Sequence, residues 1–164
     1  MDGAQHGHGV RRYWKGHHFR SLPDEAIDAF LLRGAPDGRG EMLPAASLQA
    51  YGGAIADVSD ADSAFGHRGA TFEFVAAARW SDPAEDEQRM SAARSYATSL
   101  EPFASGLYVN AMTDEAAAGV ARAYSPAKLA LLQALKVAYD PGNVFHLNQN
   151  ITPPEVMNVR PRDP

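Results

Sequence analysis

Thr71-Phe72-Glu73-Phe74-Val75-Ala76-Ala77-Ala78-Arg79-Trp80 is the stretch that decides the fold. Side chains along a strand point alternately to its two faces, so a period of two sorts this run. Phe72, Phe74 and Ala76 share one face; Glu73, Val75, Ala77 and Arg79 share the other. The first face reads as core beneath helices. The second is mixed in polarity, as the wall of a cavity is. A strand with two such faces belongs to a sheet that carries helices on one side only.

The segments on either side supply the rest of that architecture. Residues 11–20 alternate loosely through Tyr13, Trp14 and Phe19 and read as a strand entering the sheet. Met42 to Ala50 reads as another, with Pro44 near its start. Between them, residues 23–33 predict a helix: Pro23 suits the first turn, Asp24 and Glu25 favour its positive end, and Ile27, Phe30 and Leu31 form an apolar face. Gly34 to Gly40 is a turn. Ser81-Asp82-Pro83 starts a helix running to about Leu100, with Met90, Ala93, Ala97 and Leu100 as its buried stripe. Leu107 to Ala111 reads as a short strand with Tyr108 and Asn110 on the same side. Asp114-Glu115 opens a helix ending near Ala123. Ser125-Pro126 caps and opens the last one, whose Leu129, Leu132, Leu135 and Val137 keep a mostly continuous apolar face up to Tyr139. The connections are not regular βαβ units. The expected class is α+β: an antiparallel β-sheet with α-helices covering one face.

Composition narrows the function classes. One domain of 164 residues can bury a sizeable core. A net charge of −5 argues against a nucleic-acid footprint. With no cysteine there is no disulfide, thiolate metal site or cysteine nucleophile. No apolar run is long enough to span a membrane, and the N-terminus has no apolar signal segment, so the expected compartment is the cytoplasm. His6, His8, His17 and His18 raise the question of a metal. No carboxylate or thiolate ligand pattern accompanies them, and residues 1–10 read instead as a disordered N-terminal segment. Tyr51-Gly52-Gly53-Ala54 is glycine-rich, but the acidic, loop-like stretch from Asp57 to Asp62 follows it where a phosphate-binding loop needs a helix.

The last helix stops at Tyr139-Asp140-Pro141-Gly142-Asn143-Val144-Phe145-His146-Leu147-Asn148-Gln149-Asn150-Ile151. Pro141 cannot continue a helix, and Gly142 suits the third position of a type II turn, which needs positive φ. Val144, Phe145 and Leu147 are then expected to enter a core. Three amide side chains follow, each able to donate and accept, as suits a segment lying against another polar surface. This run resembles the C-terminal signature of the berberine-bridge-enzyme-like FAD-linked oxidases, flavoproteins of the vanillyl-alcohol oxidase type. Trp14-Lys15, Tyr51-Gly52-Gly53-Ala54, Ala64-Phe65 with His67-Arg68, Tyr108-Val109-Asn110 and Asp114-Glu115 resemble the family's motifs in the same order.

The resemblance implies a region, roles and partners. It extends over residues 11–151, the C-terminal substrate-domain portion, with the berberine-like motif at about 105–151 and a tail at 152–164. In the family this sheet roofs the flavin, and FAD is held mainly by a domain N-terminal to it. A chain starting at Met1 has no room for that domain. The implied partners are therefore an FAD-binding domain supplied in trans or lost upstream, and a small-molecule substrate. Tyr108 matches the tyrosine that sits over the flavin ring and helps take the proton of a substrate hydroxyl. A free phenol, with its pKa near 10, needs a neighbouring cation or a proton-accepting partner to act near pH 7. Asn110, Asn148 and Asn150 match positions approaching the cofactor, with a turn-stabilising amide as the alternative for each. His67 is either catalytic or, more plainly, a structural loop histidine. Two departures stand out: the glutamate base of the berberine bridge enzyme falls on Val75, and the histidine after Tyr-Val-Asn falls on Ala111. Ring closure of the berberine type is thus not expected, while oxidation of an alcohol or secondary-metabolite hydroxyl is. The competing reading is a non-catalytic interaction domain with an exposed apolar, amide-rich face, able to self-associate into a homo-oligomer.

Overall fold

A computed structural model describes residues 9–147 and 149–153. Most of the N-terminal segment, most of the tail and Asn148 lie outside the described residues. Three strands, β1 (Arg11–Phe19), β2 (Ala45–Ala50) and β3 (Phe72–Trp80), form an antiparallel sheet in the order β1-β3-β2. The Thr71–Trp80 stretch thus supplies the central strand. The helices are α1 (Asp24–Leu32), α2 (Ala54–Asp57), α3 (Asp86–Leu100), α4 (Ala116–Ala123) and α5 (Pro126–Tyr139). No described helix is long and apolar enough to cross a membrane.

The alternation of β3 works as its sequence implies. Phe74, Ala76, Ala78 and Trp80 are buried beneath α3 and α1. Phe74 packs edge-on against Tyr96 at 4.9 Å, and Phe19, Ala26, Ala97 and Leu100 close around them. Burying one such aromatic side chain contributes roughly 1.5–3 kcal/mol. Tyr96 joins the α3 stripe with its hydroxyl donating to the Phe30 carbonyl at 2.7 Å, so that its own polar atom is paired. Asp82 caps the approach to α3, accepting from the Ala84 amide at 2.9 Å.

Several expectations are corrected. Leu107 to Ala111 is not a strand: the chain makes one bridge just before it, His18 to Gly106, and then turns as a 3-10 helix over Val109–Ala111. The cause is close approach to β1, where a Cβ on Gly16 would meet that of Ala111 at 2.8 Å. The buried face of α1 is Ala26, Ala29 and Phe30, rotated from the expected one, and Ile27 and Leu31 are exposed. In α5, Leu129 and Leu132 are half-buried, while Leu131, Leu135 and Val137 face outward. Residues 57–62 are not plain loop: α2 ends there and a 3-10 turn covers Asp60–Asp62. At 140–143, Gly142 does not take positive φ; Asn143 does, at 51°. Asp140 accounts for this, because its carboxylate accepts from the amides of Val144 (2.7 Å) and Phe145 (3.0 Å). Val144, Phe145 and Leu147 are 72%, 81% and 80% exposed, so they enter no core among the described residues.

Two polar clusters fasten the C-terminal half to the sheet, and both join motifs far apart in sequence. Lys15 pairs with Asp114 and with Glu115 (2.7 Å), and Thr113 Oγ1 donates to the Trp14 carbonyl at 2.7 Å. Tyr13 and Arg94 also bond Asp114. Burial alone would raise the Asp114 carboxyl; hydrogen bonds from Lys15, Tyr13 and Arg94 outweigh it and pull it down to about 2. On the other flank, Lys128 Nζ donates to the Phe65 carbonyl at 2.6 Å and pairs with Asp60 at 3.2 Å. His67 Nε2 donates to the Arg122 carbonyl at 2.8 Å, a structural engagement for that loop histidine.

Candidate functional site

The register fixes what lies on the sheet face turned away from α3. His18, Glu73 and Gln49 stand in one row across the three strands; Gly16, Val75 and Ser47 form the next; Trp14, Ala77 and Ala45 the third. Glu73 is buried at 8% exposure, whereas Trp14 at 38% and all of β2 are open. The face is therefore a floor of small side chains with a polar, ring-lined end.

That end is built around His18. Its imidazole is fully buried, and the rings of Tyr51, His67, Phe65 and Tyr108 surround it at 5.4, 5.7, 6.3 and 6.5 Å. Neither ring nitrogen has a partner among the described residues. Burial, reinforced by His67 and His17, pushes the His18 pKa down to about 4, so the ring is neutral at pH 7. Its neighbour His17 points the other way and bonds the Ala97 carbonyl at 2.9 Å, as strand alternation requires.

Tyr108 is half-buried at the margin of this cluster, stacked parallel to His18 and 5.5 Å from Phe65. Asn110 is exposed, and its Nδ2 donates to Tyr108 Oη at 2.8 Å. The 3-10 turn thus unites the two residues that a strand would have set side by side. Because Asn110 supplies a donor, the Tyr108 hydroxyl hydrogen is free to point toward a third group. Asn110 and Gln149 share a cleft of about 550 Å³ with Trp14 and Thr113. Ile151 packs against the cluster of Leu107, Met112, Val120 and Ala123, which brings Gln149 and Asn150 back to this region. Asn150 donates weakly to Thr152 at 3.4 Å, and its Oδ1 is buried without a partner. Asn148 lies outside the described residues.

Two neighbours escaped the sequence reading. Tyr51 Oη donates to Glu73 Oε2 at 2.6 Å, and burial followed by that bond pushes its pKa upward. The alternation of β3 did place Glu73 on this face, but nothing local said that a tyrosine 22 residues upstream would cover it. His18 was read only as part of a histidine-rich segment. Its place opposite Glu73 follows from strand register, which one sequence does not fix. Among the described residues, no group of three or more His, Asp or Glu side chains is arranged to hold a metal ion.

Comparison with known proteins bears on this geometry. Residues 107–152 match the family described as "Berberine and berberine like". The FAD-linked oxidoreductase sorD of Penicillium rubens is 34% identical over 140 residues, covering 80% of this chain and 29% of that protein. The FAD-linked oxidoreductase YvdP of Bacillus subtilis is 30% identical over 103 residues, 63% of this chain and 23% of that protein. Residues 107–152 carry the berberine-like region, and the chain is similar to part of the FAD-linked oxidoreductases. It spans less than a third of the length of these relatives. Among solved structures of this kind, CrmK, a flavoenzyme of caerulomycin biosynthesis, superposes with a TM-score of 0.79 at 23% identity, over 94% of this chain and 34% of that one. The glycopeptide hexose oxidase DBV29 superposes at 0.74 and 22% identity, over 91% of this chain and 34% of that one. These superpositions share the antiparallel α+β fold.

Proposed function

We propose that this region forms the substrate-side wall of an FAD-dependent oxidase that oxidises an alcohol or a secondary-metabolite hydroxyl. The observation that carries the reading is Tyr108, half-buried on the sheet face opposite the helices, with its hydroxyl held by Asn110. The residues fit a planar cofactor with polar edges. Gly16, Val75, Ala77 and Ser47 make a low floor, and the buried, unpartnered Asn150 Oδ1 awaits a donor. Asn110, Asn148 and Asn150 would hold the ring system from this side. When bound, FAD supplies the two-electron acceptor.

The chain's own residues do the rest. Tyr108 receives the substrate hydroxyl and takes part in removing its proton, while Asn110 keeps its oxygen oriented. The rings of Phe65 and Tyr51 keep that end of the face dry, which strengthens each polar contact made there. An FAD-binding domain is the partner. Val144, Phe145 and Leu147, held out by the Asp140 turn, offer it an apolar anchor. The test joins the chain to an FAD-binding domain and offers glucose, cellobiose and a benzylic alcohol under anaerobic conditions. Bleaching of flavin absorbance by one of them, slowed about 10²-fold or more in Tyr108→Phe, supports the reading. Equal rates in the two proteins sink it.

The same exposed triplet favours a second reading, a docking domain without chemistry. It is distinguished by association with the FAD-binding domain in the absence of any substrate-dependent bleaching. A homo-oligomer through this face would instead appear in sedimentation of the chain alone.

A further inference from the structure

We propose that the groove between α5 and residues 59–64 seats the chain's own residues 156–162, laid down as an extended strap with its apolar side chains on α5 and its arginines on the acidic loop. The inference stands apart from the oxidase reading. The groove encloses about 530 Å³. One wall is the Leu131, Leu132 and Leu135 side of α5, and the other is the loop bearing Asp60 and Asp62. Leu131 is 64% and Leu135 53% exposed, and helical neighbours one turn apart form a single ledge. On the loop, Asp60 pairs with Lys128 at 3.2 Å. Asp57, at the end of α2, and Asp62 are exposed and carry the remaining negative charge of that wall. The occupant that fits is apolar on one side and cationic on the other.

The sequence after Pro153 has that character. Residues 154–164, which lie outside the described residues, read Pro-Glu-Val-Met-Asn-Val-Arg-Pro-Arg-Asp-Pro. In an extended chain alternate side chains point to opposite sides, so Met157 and Val159 share one side while Arg160 and Arg162 share the other. Pro161 reinforces that form, because the residue before a proline is driven to extended geometry. A groove with an apolar wall and an acidic wall receives both sides at once.

The path of the chain puts the strap within reach. Ile151 packs on the cluster of Leu107, Met112, Val120 and Ala123, and so does Leu129 of α5. Leu132, the next residue along that face, lines the groove. From Ile151 to Met157 an extended chain spans up to about 20 Å, whereas Leu129 to Leu135 is about 9 Å along the helix axis. A second copy of the chain suits the groove less well, because its net charge of −5 would be brought against an acidic wall. Seating residues 156–162 here pins the downstream end of the segment that carries Gln149, and so holds that amide at the cleft it shares with Asn110.

The chain has no cysteine, so a single pair introduced into the full chain reports on this contact. In Leu135→Cys/Met157→Cys, mild oxidation is expected to close an intramolecular disulfide about tenfold faster than in the control Leu31→Cys/Met157→Cys, whose first cysteine sits on α1. Both leucines are exposed, so the fold tolerates their loss, and circular dichroism checks it. Non-reducing gels and mass spectrometry give the rates. Adding Asp57→Lys and Asp62→Lys is expected to slow closure about fivefold, and adding Arg160→Glu and Arg162→Glu to that variant to restore it. Equal rates in the pair and its control overturn the proposal, as does closure indifferent to the charge reversals. Disulfide-linked dimers in place of the intramolecular product assign the groove to a second copy. Slow closure together with shielding of the Leu135→Cys thiol by an added FAD-binding domain assigns it to that domain, and either outcome overturns the strap. No flavin enters the measurement, so failure here leaves the oxidase reading untouched.

Discussion

Replacing His18 by leucine tests the buried imidazole directly, and the direction of the effect depends on pH. In the unfolded chain His18 titrates at its ordinary value of 6.5; in the folded chain burial holds it down to about 4. Above 6.5 both states carry a neutral ring, and His18 gives stability no slope. Between 6.5 and about 4 the unfolded state binds a proton that the folded state refuses, so stability falls as pH falls. At 1.36 kcal/mol per pH unit the loss approaches about 3 kcal/mol by pH 4, and screening near the open face trims it to about 1–3 kcal/mol. His18→Leu removes that slope. At pH 7 it also removes an unsatisfied buried donor, worth about 1–3 kcal/mol, against a repacking cost below about 1.5 kcal/mol. The variant is therefore expected to equal or exceed the wild type at pH 7 and to gain on it steadily down to pH 4.5. Urea midpoints at pH 7, 6, 5 and 4.5, followed by far-ultraviolet circular dichroism, measure this. Parallel acid dependences in the two proteins would refute the argument.

Three other perturbations follow from the same structure. Phe74→Ala empties the centre of the core between Tyr96, Phe19 and Phe30 and is expected to cost about 3–5 kcal/mol in urea unfolding. A loss below about 1.5 kcal/mol would contradict the packing described. Gly16→Val drives a side chain into Ala111 and the Phe74 carbonyl, lifting the Tyr108–Asn110 turn from β1 at a cost of about 1–3 kcal/mol. Faster hydrogen exchange at the Ala111 amide, which bonds the Tyr108 carbonyl at 2.8 Å, is the local signature to look for. Phe145→Ser leaves unfolding within about 0.5 kcal/mol, because the ring is 81% exposed. It is expected to weaken association with an FAD-binding domain at least tenfold by calorimetry, and unchanged affinity would remove the anchor role.

The fold was legible where periodicity was strong and partners were local. The alternation of Phe72, Phe74 and Ala76 located the central strand and its helical side, and Asp82 marked the approach to α3. The faces of α1 and α5 were misjudged because their apolar residues outnumber those the small core can cover. Ile27 and Leu31 satisfy the helical period as well as Ala26 and Phe30 do, and only the position of Tyr96 decides between them. The segment from 105 to 112 misled for a different reason: its alternation is genuine, but Gly16 admits Ala111 so closely that the chain turns over β1 instead of pairing along it. At the site, Tyr108 and Asn110 were found through a motif. Tyr51, Glu73 and His18 depend on register among three strands, and no local pattern encodes that.

β2 exposes every one of its six residues, yet its backbone is clamped to β3 along its whole length. Its Ala45, Ser47 and Gln49 look onto the open face without contributing to what keeps the molecule folded. This rim can therefore be rewritten one residue at a time, trading bulk and polarity beside the ring-lined end of the face. A library randomised at these three positions is the natural starting point for redirecting the region toward a new hydroxyl.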